Sequence, residues 1–342
     1  MAGAPRQAIP AATVLWCLLL AGCSSSPGGQ PTPTNPAATR PPAAPTGTAA
    51  RAGGGQICGR VAKPPATWAH VVWIWMENRD YTEVVGDPEA PYENGTLIAR
   101  CGLATNYHNI THPSLPNYLA ATSGQLLAHS DCGPDACPTT APSLFAQLRA
   151  AGKSWRAYQE SMPANCAHSD SGAYAPRHNP PVYYTPIAAD CARWDLPAGD
   201  ATSGNLARDL RAGSLPAFAF ITPNLCDDTH DCPVASGDRW LATWVPKILE
   251  SPAYTAGTTV LVLTWDEGGS GGSGDCARNT TTPGCHVPAV VVSPTTRAGT
   301  RSDILFNHYS LLSTTEQLLG LPATLAHAAD PSTTSMRTAF NL

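Results

Sequence analysis

Two uninterrupted apolar runs restrict what this chain can fold into. Ala69-His70-Val71-Val72-Trp73-Ile74-Trp75-Met76 and Thr258 to Trp265 have the length of strands and no alternation of polar and apolar residues. Strands of that kind are covered on both faces, as in the middle of a parallel sheet flanked by helices. Ser154 to Gln159, Leu215 to Thr222 and Val287 to Val292 read as further strands. Between them, Ser143 to Ala151 reads as a helix closed by Gly152. Asp238 to Glu250 carries Trp240, Leu241, Trp244, Val245, Ile248 and Leu249 at helical spacing, and Ser310 to Leu319 is a helix ended by Gly320. Alternating strands and helices predict an α/β protein, a three-layer α/β/α sandwich around a mostly parallel sheet.

The N-terminal end does not belong to that sandwich. Arg6 precedes an apolar stretch, Ala11 to Leu20, that is too short to span a bilayer. Leu20-Ala21-Gly22-Cys23 then resembles a bacterial lipoprotein signal, in which cleavage after residue 22 leaves Cys23 as the lipid-bearing terminus. Residues 23–56 are Ser, Pro, Thr, Ala and Gly with hardly a large apolar side chain, a composition that cannot repay ordering and reads as a flexible tether. Residues 57–342 are left for one large domain. A net charge of −5, with no basic run, argues against nucleic acid as a partner.

Of the 12 cysteines, Cys17 and Cys23 lie in the leader and ten remain. An even set in an exported chain reads as disulfides. Close neighbours pair as Cys132–Cys137, Cys226–Cys232 and Cys276–Cys285, and Cys58–Cys101 and Cys166–Cys191 remain as longer staples. None shows the paired C-x-x-C spacing of a zinc site.

Chemistry-bearing residues gather where the apolar runs stop. Glu77-Asn78 follows the first strand and Asp266-Glu267 the later one, which is where open α/β sheets place their sites. Neighbouring carboxylates repel unless a cation lies between them, and Glu, Asn, Asp and Glu offer the oxygen donors a divalent ion prefers. A third stretch, Asn109 to Gly124, holds Ser114 between Pro113 and Pro116 at the head of a short helix, with Ser114 expected at the N-cap, where the positive end of the helix suits a phosphate. Asn224 to Asp231 follows another strand and sets His230 among acids, while Tyr174 to Asn179 puts Arg177 beside His178, a pair suited to grasping phosphate oxygens.

In combination these segments resemble the phosphoesterase family of bacterial acid phosphatases and phospholipases C. The segments are Met76-Glu77-Asn78, Thr111 to Tyr118, Asn224 to Asp231, Thr264 to Glu267, Val287 to Pro294 and Asn307 to Leu312, in that order. The resemblance covers nearly all of residues 69–322 and implies an alkaline-phosphatase-like fold. It also implies a divalent metal ion held by Glu77, Asn78, Ser114, Asp266 and Glu267, with Ser114 as nucleophile and His178 and His230 as active-site histidines. The Ser114-Leu115-Pro116-Asn117 step is similar to the Thr-Phe-Pro-Asn step of nucleotide pyrophosphatases, which favours Ser114 over Thr111 or Ser123. His286 has no counterpart in the pattern and is not assigned to the metal, and His308 is either structural or a support for a ligand.

The expected activity is therefore that of an exported, metal-dependent phosphomonoesterase working through a phosphoseryl intermediate. Arg177, His178, Asn117 and His112 are expected to meet the phosphate, and His230 to protonate the leaving alkoxide. The substrate class is a phosphorylated small molecule or lipid headgroup, phosphoinositide 3-phosphates among them, and the membrane is met through the Cys23 anchor. A phospholipase C-type diesterase is the second enzymatic reading. A non-catalytic surface lipoprotein is the reading from another class, and the complete Glu77-Asn78, Ser114 and Asp266-Glu267 set speaks against it.

Overall fold

A computed structural model describes residues 55–272, 274–322 and 325–342. The signal segment 1–22, Cys23 and the tether as far as residue 54 lie outside the described residues. Both apolar runs are strands: β1 is His70–Met76 and β7 is Thr259–Trp265. In chain order the others are β2 (Gly102–Ala104), β3 (Tyr107–His108), β4 (Trp155–Gln159), β5 (Asp195–Pro197), β6 (Phe218–Thr222), β8 (Ala289–Val292), β9 (Thr300–Ser302) and β10 (Phe306–Asn307). Eight of them form one sheet in the order β5-β4-β6-β1-β7-β8-β2-β9, and β3 pairs with β10 apart from it.

The sheet is mostly parallel, with β8 running against both of its neighbours. The reason lies in the connection from β7. A parallel return needs a crossover, usually a helix, whereas residues 266–288 hold a glycine-rich loop and the Cys276–Cys285 ring.

Strand β1 lies in the middle and its alternate side chains meet two different helix layers. Trp73 donates from Nε1 to Thr315 Oγ1 at 3.1 Å, and Trp75 lies 5.0 Å from Tyr118 and 4.8 Å from His308, ring centre to ring centre. Those partners belong to the helices Ser114–Ser123 and His308–Leu318, which pack on each other. On the opposite face Met76 reaches Gly237 of the helix Val234–Glu250, where even a Cβ would stand 2.7 Å from the methionine Cε. That helix turns Trp240, Leu241, Trp244, Val245 and Ile248 inward and packs with Asn205–Ala212 and Pro252–Thr255. The sandwich thus has two helix layers, and β1 is buried from Val71 to Met76. No helix among the described residues is long and apolar enough to cross a membrane.

All five expected disulfides are present: Cys58–Cys101, Cys132–Cys137, Cys166–Cys191, Cys226–Cys232 and Cys276–Cys285. Ellman titration of denatured, unreduced protein starting at residue 57 should therefore find no free thiol, and six or more would overturn the pairing.

Two buried carboxyls make the fold sensitive to pH. Asp195 is fully buried, accepts from Asn179 Nδ2 at 2.7 Å, and burial pushes its pKa up to about 7. Burial also raises Glu160, just after β4, to about 7. A carboxyl raised above its unfolded value favours the fold while protonated, fully below about pH 4 and progressively less up to pH 7. Thermal melts should therefore show stability falling as pH rises from about 4 to 7, with Asp195 supplying at most ~4 kcal/mol of the change. Asp195→Asn should flatten that slope, and an unchanged slope would contradict the assignment.

Candidate active site

The parallel pairing of β1 with β7 aligns Met76 with Trp265, so the residues that follow leave the sheet side by side. Asp266 N donates to Met76 O at 3.0 Å, which locks the two strand ends together. Glu77 and Asp266 are completely buried there and Glu267 is nearly so. Asn78 takes a left-handed backbone, φ 49°, and its N–H reaches Asp266 Oδ1 at 3.3 Å. Its side-chain amide presents one atom 3.1 Å from Glu77 Oε2 and 3.2 Å from Asp266 Oδ1. With nitrogen inward it donates to both carboxylates, and with oxygen inward three oxygens converge on one point.

The helix Ser114–Ser123 brings up the nucleophile candidate. Ser114 is its first residue rather than its cap, because Pro113, after a cis peptide, occupies the extended capping position. The cap is supplied from outside, by Asp131 Oδ1 accepting from Leu115 N at 2.9 Å. Ser114 Oγ donates to Glu77 Oε2 at 3.1 Å. One turn on, the Tyr118 hydroxyl donates to the other oxygen, Glu77 Oε1.

Strand β6 delivers the opposite wall. After it, the 224–232 loop runs back so that Asp228 O accepts from Glu77 N at 2.7 Å, and Thr229 Oγ1 donates to Glu77 O at 2.7 Å. Thr229 holds φ 80°, a costly conformation for a β-branched residue that the surrounding bonds enforce. His178 stands between the carboxylates, Nε2 3.4 Å from Glu77 Oε1 and Nδ1 3.5 Å from Asp228 Oδ2. His230 lies 5.6 Å away, ring to ring, with Nδ1 held 2.7 Å from Asp231 Oδ1. Arg177, half-buried, lies 3.8 Å from Asp170.

Glu77, Asn78, Ser114, Asp266, Glu267, His178 and His230 therefore come together, with Arg177 adjoining. Asn117 and His112 have a different setting from the phosphate contact expected of them. Asn117 is fully buried. Its oxygen accepts from Ile110 and Thr111 N–H at 2.9 and 3.0 Å, and its nitrogen donates to Thr111 O, Pro113 O and Glu267 Oε2. His112 Nδ1 lies 3.0 Å from Glu267 Oε2, and its Nε2 lies 3.1 Å from Gly284 O. Both residues fasten the segment before Ser114 to Glu267. His308 is likewise a support, bonded to Asp266 O at 2.7 Å and to the Tyr107 hydroxyl at 3.1 Å. Tyr118 and Asp228 also line the candidate site, and the motifs contained both without marking them, since Tyr118 reads as a core aromatic and Asp228 as one acid among three in its loop.

Electrostatics favour a cation. Burial, then Asp266 and Asp228, raise the pKa of Glu77 far above the carboxylate range, and burial with Glu267 does the same to Asp266. Asp228 and Glu267 are also raised, chiefly by burial. Burial, then Arg177 and His230, push His178 down, leaving a neutral imidazole. Asp266 Oδ2, Asp228 Oδ2 and His178 Nε2 are buried with no hydrogen-bond partner, each a polar atom that a cation would satisfy. Glu77, His178 and Asp228 each bring one donor atom within 4.8 Å of the others. The residues fit a divalent metal ion.

Residues 90–322 match the Phosphoesterase family. The chain is 31% identical over 272 residues to a phosphatidylinositol-3-phosphatase of Mycobacterium tuberculosis, covering 78% of this chain and 82% of that one. It is 29% identical over 259 residues to an acid phosphatase of Aspergillus fumigatus, covering 73% of this chain and 54% of the relative, so it spans about half of the fungal protein's length. In fold it is similar to the lipoteichoic acid synthase LtaP of Listeria monocytogenes. That likeness has a TM-score of 0.52 at 10% identity and covers 77% of this chain and 74% of that one.

Carboxyls that hold protons this tightly make metal binding compete with protonation. A divalent ion should raise the melting temperature and EDTA lower it, by more at pH 7 than at pH 5, and Asp266→Asn should shrink the effect. A melt indifferent to EDTA and to added ions at both pH values would remove the metal site.

Proposed function

The chain belongs to the phosphoesterase family, and on that premise we propose that it is an exported, metal-dependent phosphomonoesterase acting through a phosphoseryl intermediate on Ser114. The observation that carries this reading is the Ser114 hydroxyl, 3.1 Å from Glu77 Oε2 inside a buried carboxylate set at the ends of β1 and β7. Its hydrogen bond to Glu77 orients the hydroxyl and turns an oxygen lone pair away from the carboxylate. A divalent ion bound by Glu77, Asn78, Ser114, Asp266 and Glu267 would supply charge neutralisation and ease deprotonation of the serine. Ser114 Oγ gives up its proton along its hydrogen bond to Glu77 and forms the new bond to phosphorus as the ester P–O bond breaks, and the departing alkoxide takes a proton from His230. Water then releases phosphate from the serine. Arg177 is the cation placed to meet non-bridging oxygens.

Asn117 and His112 serve this chemistry indirectly by holding Glu267 and the segment before Ser114 in place. The substrate class is a phosphate monoester. The 3-phosphate of a phosphoinositide headgroup is a member of that class suggested by the mycobacterial relative's name. Export is supported by the five disulfides, which persist in oxidising compartments. The Arg6 to Cys23 pattern supports a lipid anchor at Cys23.

Hydrolysis of p-nitrophenyl phosphate, its bis-ester and phosphatidylinositol 3-phosphate tests the reading. Ser114→Ala should lower phosphate release roughly 10³-fold or more, while its fold loses only a hydrogen bond worth about 1 kcal/mol. Near-normal turnover in that variant would sink the mechanism, and preference for the bis-ester would shift the activity to a diesterase.

A further inference from the structure

His178 is the least explained group in the site. It is almost completely buried and lies flat against Tyr118, with ring centres 5.4 Å apart and planes 8° apart, so the imidazole cannot swing away. Each ring nitrogen faces a carboxylate, at 3.4 Å and 3.5 Å, and both separations exceed an ordinary N–H···O bond. Neither contact closes to a hydrogen bond, and Nε2 is buried with no partner at all.

We propose that His178, oriented by Asp228, is a nitrogen ligand of the same metal ion that Glu77 holds, so that the centre is a mixed nitrogen–oxygen site. The proposal rests on the metal-dependent reading above. Two donors bound at about 2.1 Å to one ion stand roughly 3.0 Å apart at octahedral angles and roughly 3.4 Å at tetrahedral ones. Ser114 Oγ to Glu77 Oε2, the Asn78 amide to Glu77 Oε2 and to Asp266 Oδ1, and His178 Nε2 to Glu77 Oε1 measure 3.1, 3.1, 3.2 and 3.4 Å. The first three edges meet at Glu77 Oε2 and Asp266 Oδ1, whereas the imidazole nitrogen stands off the second oxygen, Glu77 Oε1, which also accepts from Tyr118. One ion would therefore reach both sides through a Glu77 that binds with both of its oxygens. On the far side, Asp228 Oδ1 is committed to His230 N at 2.7 Å, and Oδ2 is left without a partner opposite His178 Nδ1. Closing that 3.5 Å gap by about half an ångström makes a carboxylate–imidazole hydrogen bond. Such a bond fixes the tautomer with its lone pair on Nε2, the usual backing of a metal-bound histidine. Nitrogen ligation turns the site from magnesium and calcium, which favour oxygen alone, toward zinc or manganese.

The test uses the full chain, stripped of metal and titrated with Mn²⁺, Zn²⁺ and Mg²⁺. Electron-spin-echo modulation from a directly bound ¹⁴N imidazole is expected in the Mn²⁺ form. It should vanish in His178→Phe, which keeps the flat ring against Tyr118, and the Kd for Mn²⁺ should rise roughly 10- to 100-fold. Asp228→Asn should keep the modulation while weakening Mn²⁺ about tenfold, and wild-type protein should bind Mg²⁺ more weakly than Mn²⁺ or Zn²⁺. Absence of ¹⁴N modulation in the wild type, its persistence in His178→Phe, or a Kd unchanged within twofold would overturn the proposal. A second ion per chain that disappears in His178→Phe would overturn it too, by making this a separate site. If His178→Phe does not fold by circular dichroism, His178→Gln carries the same comparison. Wild-type protein that binds none of the three ions yet turns over substrate would instead defeat the metal-dependent reading itself.

Discussion

The site depends on the register between two neighbouring parallel strands. Because Met76 lies opposite Trp265, Glu77 and Asp266 emerge at the same height, and the bond from Asp266 N to Met76 O holds them there. A slip of one residue would turn one of the two side chains to the other face of the sheet. The slip is opposed by burial: every residue from Val71 to Met76 and from Thr259 to Trp265 is covered. The strand interior thus fixes the position of charges that the strand itself does not contain. Those charges are costly to bury, and two hydroxyls partly compensate, Ser114 and Tyr118 each donating to one oxygen of the Glu77 carboxylate, while Thr229 and Asp228 hold its main chain.

A second layer of support comes from two segments that touch backbone to backbone. A Cβ on Gly284 would stand 1.9 Å from Gly271 O, and one on Gly268 would stand 2.7 Å from Gly284 Cα. Only glycine permits that approach, and it brings Gly284 O within reach of His112. Cys276 N reaches Ile110 O at 2.8 Å, so the Cys276–Cys285 ring is tied to the segment that ends at Ser114. The disulfide is remote from phosphate chemistry in type, yet it braces the segment that leads into Ser114.

Much of this was legible in the amino-acid order. Unbroken apolar runs announced central strands, and the polar residues at their ends announced the site, because burial on both faces leaves the strand terminus as the place for charge. The five cysteine pairs could be read from their spacing. Asn117 and His112 show where such reading stops: an amide and an imidazole beside Ser114 suggest phosphate contacts, and only the fold shows that Glu267 and the local backbone already claim them. Tyr118 looks like one more core aromatic until Glu77 is placed against its hydroxyl. Asp228 was one acid among three in its loop, and its distinction is a relation to His178 across 50 residues of chain that no local pattern encodes. The reversed direction of β8 was also hidden, since an apolar run does not state which way it points.

The separation of the ligands along the chain has a kinetic meaning. Asn78 and Asp266, in contact in the folded protein, are 188 residues apart in sequence, and Ser114, His178 and Asp228 arrive from intervening stretches. Joining contacts that distant requires most of the loop-closure entropy to be paid first, which places them late in folding. An ion would therefore be captured by an almost finished molecule rather than serve as a nucleus, and its arrival would mark the end of folding.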